Sequence, residues 1–291
     1  MSLSAAAARV KRVTESLLTL PALPTVVARL IEAIDNPKVT AAMMGALIEQ
    51  DQVLTARILK VANSSFYSFP RQIGTVQLAL VVMGFDAVKE LALGLSAQAA
   101  FRAESAHPRF QSDRFWQHSL AVAGTCRLLA SQLRTLPPGE AFVAGLLHDI
   151  GKLILNQYLP KEFAEIQTGL SAPEALPEAV ERTVIGVTHG EIGSWLGERW
   201  NLPAPLCQAM RWHGEPWLGT GESAFPLLVH ISDWLAHRQN LGEAGTPAQE
   251  KLDVRAVEAM RHQFGLAPED LANFAPAVLL EYDKSGQFIS E

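Results

Sequence analysis

The stretch that decides the fold is FVAGLLHDIGK, residues 142–152, which sets a histidine–aspartate pair inside an apolar run. Apolar residues recur around it at three- and four-residue spacing, which is typical of a buried helix. On such a helix His148 and Asp149 point about 100° apart, so both can reach one ion only if it lies over the seam between them. A charged pair in this setting costs several kcal/mol unless it is paired or bound to a cation.

Four further histidines and aspartates stand elsewhere in the chain, in or beside apolar helical patterns. Imidazole nitrogen and carboxylate oxygen are ligands that Zn, Mn, Fe and Ni sites use, and three or four must converge to hold an ion. A lone His or Asp in an apolar helix is more often a hydrogen-bonded core residue than a ligand. The ordered set across four or more helices favours a metal pocket. The candidate ligands are His118, His148, Asp149 and Asp233, with His189 and His213 as further ligands.

Three other polar residues lie close to this set in sequence. Lys152 follows His148 by four residues, so its ammonium shares that helix face and can bind a phosphate or pair with a carboxylate. His230 precedes Asp233 by three residues, and we interpret it as packing behind the ligands, with a ligand role as the alternative. We interpret His237 as a surface residue.

The remaining sequence predicts an all-α fold. Helical spacing recurs almost everywhere, two-residue alternation is nearly absent, and clusters of Pro and Gly divide the chain into roughly a dozen helices. All six Trp residues lie at or after position 116, so the two halves differ in composition. We predict an N-terminal helical lobe at residues 1–104, a second helical lobe at 105–241 and a C-terminal helical extension at 242–291, and expect the lobes to have separate cores.

Composition narrows the classes of function. The chain has 291 residues, 48% of them hydrophobic and 19% charged, which is ample for a buried core. A net charge of −6 without basic runs argues against nucleic-acid binding. Cys126 and Cys207 form no CxxC pair, which fits a reducing compartment. No apolar stretch approaches the roughly 20 residues of a spanning helix. We therefore expect a soluble cytoplasmic protein without nucleic-acid or membrane partners.

These motifs resemble the HD superfamily of metal-dependent phosphohydrolases and, more narrowly, its HDOD branch, the HD-related output domains of bacterial signalling. The resemblance covers about residues 18–240 and rests on the 142–152 stretch, on Phe115 to Ser119 and on Ala62-Asn63-Ser64. It implies an N-terminal helical bundle packed on an HD-like helical lobe. The residues that match the basic HD set are His118, His148, Asp149 and Asp233, which implies a divalent ion such as Fe, Mn, Ni, Zn or Mg.

Two departures separate the chain from HD-GYP enzymes, which cleave cyclic dinucleotides. Trp212-His213 stands where those enzymes carry two histidines, and Gly214-Glu215-Pro216-Trp217 replaces their Gly-Tyr-Pro loop. These departures argue against cyclic di-GMP hydrolysis. Because the resemblance is to the output branch and no substrate loop is recognisable, we favour a regulatory module that binds a protein partner in a signalling pathway, with the His/Asp pocket holding an ion structurally or nothing. The alternative is a metal-dependent phosphohydrolase acting on a nucleotide or another phosphate-containing small molecule, with Lys152 and His189 stabilising phosphate charge. A third interpretation is a scaffold without an ion, in which the six residues hydrogen-bond among themselves.

Overall fold

In the computed structural model the chain is divided into helices, and many breaks between them lie at the Pro and Gly clusters of the sequence. The structure describes residues 22–34, 38–64, 69, 71–101, 107, 110–172, 175–219, 224–242, 245 and 251–285. Every regular element within those ranges is helical, which confirms the all-α prediction. None of the helices in this part of the chain has the length and apolar composition needed to cross a membrane. The lobe boundary predicted between residues 104 and 105 lies outside the described residues.

The first lobe is built around one long buried helix. Its elements are α1 (Thr25–Ile34), α2 (Ala41–Ile48), α3 (Gln52–Ala62), α4 (Val76–Met83) and α5 (Phe85–Ala100). Side chains of Thr40, Asp51 and Thr75 accept hydrogen bonds from the backbone N–H groups that begin α2, α3 and α4. Such caps satisfy donors that the helix itself leaves free. Helix α5 packs against α1, α3 and α4, so it forms the centre of this lobe.

The second lobe surrounds a 22-residue helix. Its elements are α6 (Ser112–Leu133), α7 (Pro138–Leu147), α8 (Ile150–Tyr158), α9 (Pro160–Gly169), α10 (Pro177–Val184), α11 (His189–Arg199), α12 (Ala204–Trp212), a 3₁₀ turn (Pro216–Leu218) and α13 (Phe225–Arg238). Proline in the first turn begins α7, α9, α10 and α12, where a missing N–H costs nothing. Helix α6 packs against α7 and α13.

The last described segment returns to the second lobe. It comprises α14 (Val254–Phe264), a 3₁₀ segment (Pro268–Phe274) and α15 (Ala275–Ser285). Helix α15 packs along α6, where Arg127 donates to Glu281 at 2.8 Å. Before this segment the chain contacts α6 at Gly242, whose φ is +74°. A Cβ on Gly242 would lie 2.3 Å from the backbone nitrogen of His118. Glycine is therefore needed where the chain crosses α6.

The apolar core is continuous across both lobes, so the expected separate cores are not observed. Helix α5 of the first lobe packs on α7 of the second. The contact is close because Gly94 has no side chain: a Cβ there would lie 2.5 Å from Leu146 Cδ2. The rings of Phe101 and Trp200 add an aromatic contact with centroids 6.3 Å apart. Both lobes therefore bury apolar surface against each other as well as within themselves.

Candidate metal centre

The predicted ligands come from separate elements of the second lobe. His118 lies near the middle of α6, and Asp233 lies in α13. His189 is the first residue of α11, where Thr188 and Glu191 form a capping box. His213 directly follows α12. All the histidines of this set are nearly fully buried, so an isolated charge or lone pair in the pocket would be costly.

His148 and Asp149 do not share one helix, contrary to the prediction. They form the joint between α7 and α8, and Asp149 has φ −98° and ψ 6°, outside the helical region. The backbone just after this joint packs closely against the start of α11 because Gly151 has no side chain. A Cβ on Gly151 would lie 1.9 Å from the carbonyl oxygen of His189. The backbone break, together with this close approach, brings residues from α8 and α11 to the same pocket.

The structure brings two groups of ligand atoms together. In the first group, His118, His148 and Asp233 offer atoms that all lie within 4.8 Å of one another. The His118 Nε2 to Asp233 Oδ1 distance is 2.8 Å, and the His148 Nε2 to Asp233 Oδ1 distance is 3.8 Å. These spacings are short enough for a single ion to contact all three, since metal–ligand distances are about 2.0 to 2.3 Å.

The second group shares His148 with the first. It consists of His148, Asp149 and His213, again with ligand atoms within 4.8 Å of one another. Asp149 Oδ2 lies 3.3 Å from His148 Nε2, and Asp149 Oδ1 lies 3.4 Å from His213 Nε2. His189 borders this group, with its Nε2 3.1 Å from Asp149 Oδ1 and 3.1 Å from His213 Nε2. All six predicted residues therefore meet in one cluster.

Each histidine bonds to the protein through Nδ1 and turns Nε2 into the cluster. Because a backbone carbonyl or an ionised carboxylate can only accept, Nδ1 carries the proton and donates it. A neutral ring then presents an Nε2 lone pair, which is the form that binds a metal. The Nδ1 contacts are His118 to Leu241 O at 3.2 Å, His148 to Gly145 O at 2.7 Å, His213 to Met210 O at 2.8 Å and His189 to the Glu181 carboxylate at 2.8 Å.

Two of these inward atoms make no well-aligned hydrogen bond within the described part of the chain, although His189 Nε2 approaches one of them to 3.1 Å. They are His148 Nε2 and Asp149 Oδ1, both buried. An unsatisfied buried polar atom costs about 1–3 kcal/mol, and a divalent cation between the two would remove that cost. The scaffold interpretation requires mutual hydrogen bonds, and His148 Nε2 makes none. The donor set therefore fits a divalent cation.

Two histidines of the cluster, His148 and His189, differ in protonation. Burial lowers the pKa of His148, so its ring is neutral and keeps its Nε2 lone pair. Burial also opposes the charged form of His189, but the Glu181 carboxylate and a hydrogen bond to Asp149 outweigh it and raise the pKa to about 10. Without an ion, His189 is therefore an imidazolium that faces the Asp149 carboxylate.

The sequence left open whether Lys152 binds a phosphate or pairs with a carboxylate, and in the structure it pairs with a carboxylate. Its Nζ donates to Asp149 Oδ2 at 2.6 Å, so it pairs with a carboxylate of the cluster. Burial alone would raise the pKa of Asp149, but the neighbouring His148 ring and the ammonium of Lys152 outweigh it and hold the pKa well below its usual range. Asp149 is thus ionised and ready to bind a cation. Lys152 also lines the pocket.

Two residues of the site were missed or misread from the sequence. His237 lies at the pocket mouth and not on the open surface, with Nε2 3.4 Å from Asp233 Oδ1 and its ring centroid 4.5 Å from that of His118. Its position four residues after Asp233 was a usable signal, because such residues share a helix face. Glu181, which holds His189, carried no such signal because it lies on another helix. His230 Nδ1 donates to the His213 carbonyl at 2.8 Å.

Comparison with known proteins identifies the family of the chain. The family model of the HDOD domain matches residues 20–216, so Asp233 lies beyond the matched segment. A curated relative, an uncharacterized protein of Treponema pallidum (strain Nichols), is 25% identical over 195 residues. Those residues are 67% of this chain and 37% of the relative, so the chain spans well under two thirds of that protein.

Three solved structures share the fold. An HDOD domain protein of unknown function from Geobacter sulfurreducens superimposes with a TM-score of 0.80 at 25% identity, covering 97% of this chain and 98% of that one. A protein of Shewanella amazonensis SB2B, provisionally described as a phosphohydrolase, gives 0.75 at 23% identity over 96% and 97% of the two chains. A protein of Marinobacter aquaeolei VT8, provisionally described as a signal transduction protein, gives 0.78 at 23% identity over 98% and 66%.

The last two structures are similar enough to show a common fold only. The family assignment rests on the HDOD match, which covers more than half of the chain and includes the His148–Asp149 joint. It confirms the resemblance seen in the sequence. The chain belongs to the HDOD family.

Proposed function

We propose that this chain is a regulatory module of bacterial signal transduction that acts through a protein partner. Its second lobe holds one divalent metal ion on His118, His148, Asp149 and Asp233. The observation that carries the metal assignment is the buried Nε2 of His148, which makes no hydrogen bond and belongs to both groups of converging ligand atoms. Membership of the HDOD family supports the signalling role.

The size of the pocket supports regulation over nucleotide hydrolysis. Its volume is about 50 Å³, and the side chains that line it include Glu178, Trp234 and His237. Sites for small organic molecules usually measure roughly 300–1,000 Å³. A cavity of this size has room for an ion and a few waters, because one water needs roughly 10–15 Å³ measured in this way. A nucleotide would not fit without rearrangement of the mouth.

The first lobe supports the protein-partner part of the proposal. Leu78, Val81 and Val82 are exposed on one face of α4, and Met43 is exposed on α2, which packs against α4. Single exposed apolar residues are ordinary on protein surfaces, but a group on adjacent helices is typical of an interaction surface. This group lies in the first lobe, whereas the proposed ion lies in the second.

Metal content tests the proposal. Purified protein is stripped with a chelator, reloaded with Mn²⁺, and analysed for bound metal beside Asp149→Asn and the control Asp113→Asn. Asp113 is an exposed carboxylate near the start of α6, so its variant makes the same change of charge away from the pocket. We expect about one ion per chain in the wild type and the control, and almost none in Asp149→Asn. Equal metal content in all three proteins would contradict the assignment.

A second candidate function is phosphohydrolysis, favoured by the cationic groups beside the proposed ion. Lys152 and His189 both line the pocket. Their positive charges would offset the charge of a phosphate held at the mouth. When bound, a divalent ion supplies Lewis acidity and lowers the pKa of a water. The substrate in this case is a small phosphate-containing molecule and not one that must enter the pocket whole.

A hydrolysis assay separates the two candidates. Mn²⁺-loaded protein is incubated with p-nitrophenyl phosphate, bis(p-nitrophenyl) phosphate and cyclic di-GMP, with Asp149→Asn as background and Asp113→Asn as control. We expect no cleavage above background, and cyclic di-GMP to stay intact because Trp212 stands in place of a second histidine. Cleavage that is lost in Asp149→Asn and kept in Asp113→Asn would replace the regulatory proposal with the hydrolase.

A further inference from the structure

A second cavity lies between the two lobes, away from the His/Asp cluster. Its volume is about 500 Å³, which is within the roughly 300–1,000 Å³ of small-molecule sites. Helices α1 and α5 of the first lobe form one side of it. Helix α7 and residues 201–206, which lead into α12, form the other side. A ligand in this cavity would touch both lobes at once.

The lining combines an apolar wall with an excess of negative charge. Leu93, Val143 and Leu206 are buried apolar side chains of the wall. The charged groups of the lining are the carboxylates of Asp86, Glu90 and Glu140 and the ammonium of Lys89. Lys89 donates to Asp86 at 3.4 Å, so it neutralises the exposed Asp86 and leaves the other two acids in excess.

Glu90 is the unusual member of this lining. It exposes only 7% of its surface, its carboxylate oxygens are not fully enclosed, and no hydrogen bond or ion pair to them is formed among the residues that the structure describes. Burial raises the pKa of Glu90 to about 7. The charged groups that face it are Lys89 and Asp86 on its own helix, Arg127 on α6 and Glu140 on α7. A mostly buried carboxyl group without a protein partner is uncommon in folded proteins and is satisfied instead by water, by an ion or by a bound molecule.

The backbone opposite Glu90 is shaped to admit its carboxylate. A Cβ on Gly139, in the first turn of α7, would lie 1.8 Å from Glu90 Oε1. No side chain therefore separates the carboxylate from α7. The carboxylate lies against the backbone of α7, in the lining of the cavity.

We propose that this interlobe cavity binds a small organic cation, a primary ammonium group on an apolar body. The ammonium pairs with Glu90, and the apolar body packs against Leu93 and Val143. An ammonium has three donors and no acceptor, which suits a carboxylate that lacks a donor. An anion would meet an excess of carboxylates, and a neutral apolar molecule would leave Glu90 unpaired.

The position of the cavity would let such a ligand act on the His/Asp cluster. Helix α7 begins at the cavity, near Glu140, and ends directly before His148. Helix α12 also begins at the cavity, near Leu206, and ends directly before His213. At about 1.5 Å per residue, α7 is roughly 15 Å long and α12 roughly 14 Å long, so both connect the two sites as short rigid elements. The binding proposal itself goes beyond the proposed function and does not depend on a metal in the cluster.

Titration calorimetry with three matched probes tests the proposal: hexylammonium, hexan-1-ol and hexanoate. They share one apolar chain and differ in charge. Each is titrated into the full wild-type chain, into Glu90→Gln and into the control Glu258→Gln, an exposed acid on α14. We expect wild type and control to bind hexylammonium alike, Glu90→Gln to bind it at least about tenfold more weakly, and the neutral and anionic probes to bind weakly throughout.

A second measurement needs no variant. Because Glu90 is about half protonated at pH 7, binding of the cation should release about half a proton there and almost none at pH 9. Calorimetry in two buffers of different ionisation enthalpy measures this release. The proposal is overturned by equal affinity for hexylammonium and hexan-1-ol, by undiminished binding in Glu90→Gln, by absent binding, or by absent proton release at pH 7.

Discussion

Replacing Gly151 by alanine tests the packing that positions the His/Asp cluster. Gly151 lies in the first turn of α8, and its Cα faces the backbone at the start of α11. A Cβ there would lie 1.9 Å from the His189 carbonyl oxygen and 2.7 Å from its carbonyl carbon. Both obstacles are backbone atoms, so no side-chain rotation can relieve the clash.

The size of the effect follows from this geometry. Real Cβ contacts are essentially never shorter than 3.0 Å, so α8 and α11 must separate by at least about 1 Å. Overpacking of this kind costs typically about 1–3 kcal/mol, and the upper end applies here because both sides are backbone. The higher helix propensity of alanine returns up to about 1 kcal/mol. We expect Gly151→Ala to lower the free energy of unfolding by about 2 kcal/mol.

Urea denaturation followed by circular dichroism measures this change, with Gly74→Ala as the matched control. Gly74 has an ordinary φ, and no atom lies within 4 Å of the point that an alanine Cβ would occupy there. Its variant should be as stable as the wild type or more stable by about 0.4–1 kcal/mol. The reasoning fails if Gly151→Ala unfolds within about 0.5 kcal/mol of the wild type.

Three further outcomes are expected. The pKa of Glu90 is raised from 4.5 to about 7 in the folded state, so between these pH values the folded chain binds more protons than the unfolded one and its stability should fall as pH rises. Glu90→Gln should flatten this fall and raise the free energy of unfolding at pH 8 by about 2–3 kcal/mol, as measured by urea denaturation. An unchanged pH profile would contradict the burial argument. Burial raises the pKa of Cys126 to about 12, so Ellman's reagent should leave this thiol unmodified at pH 8 until the protein is unfolded. His237→Ala should weaken Mn²⁺ binding about tenfold by removing the contact with Asp233, whereas the exposed His262→Ala should leave the calorimetric affinity unchanged.

The sequence was sufficient for the fold class because its signals are local. Helical spacing of apolar residues and capping residues such as Thr40 and Thr188 act within one or two turns, and the structure begins helices at these positions. The relation between the lobes is not local. Separate cores were expected, but Gly94 lets α5 approach Leu146 of α7, and the apolar core became continuous.

The candidate site was predictable in its residue types but not in its geometry. The sequence supplied the ordered histidines and aspartates, and His237 could have been added from its spacing to Asp233. The joint at His148–Asp149 could not be read from an apolar run that continues through it. Glu181 could not be identified either, because its contact with His189 depends on how α10 packs beside α11.

By itself the sequence determined an all-α chain with buried imidazoles and carboxylates, because periodicity and composition record which side of each helix avoids water. Only the tertiary structure decided which atoms meet. The Nδ1 of His118 is fixed by the carbonyl of Leu241, 123 residues away, and that contact turns Nε2 towards Asp233. Such contacts depend on ångström-scale packing between helices distant in sequence, which a pattern of residue types along one helix does not specify.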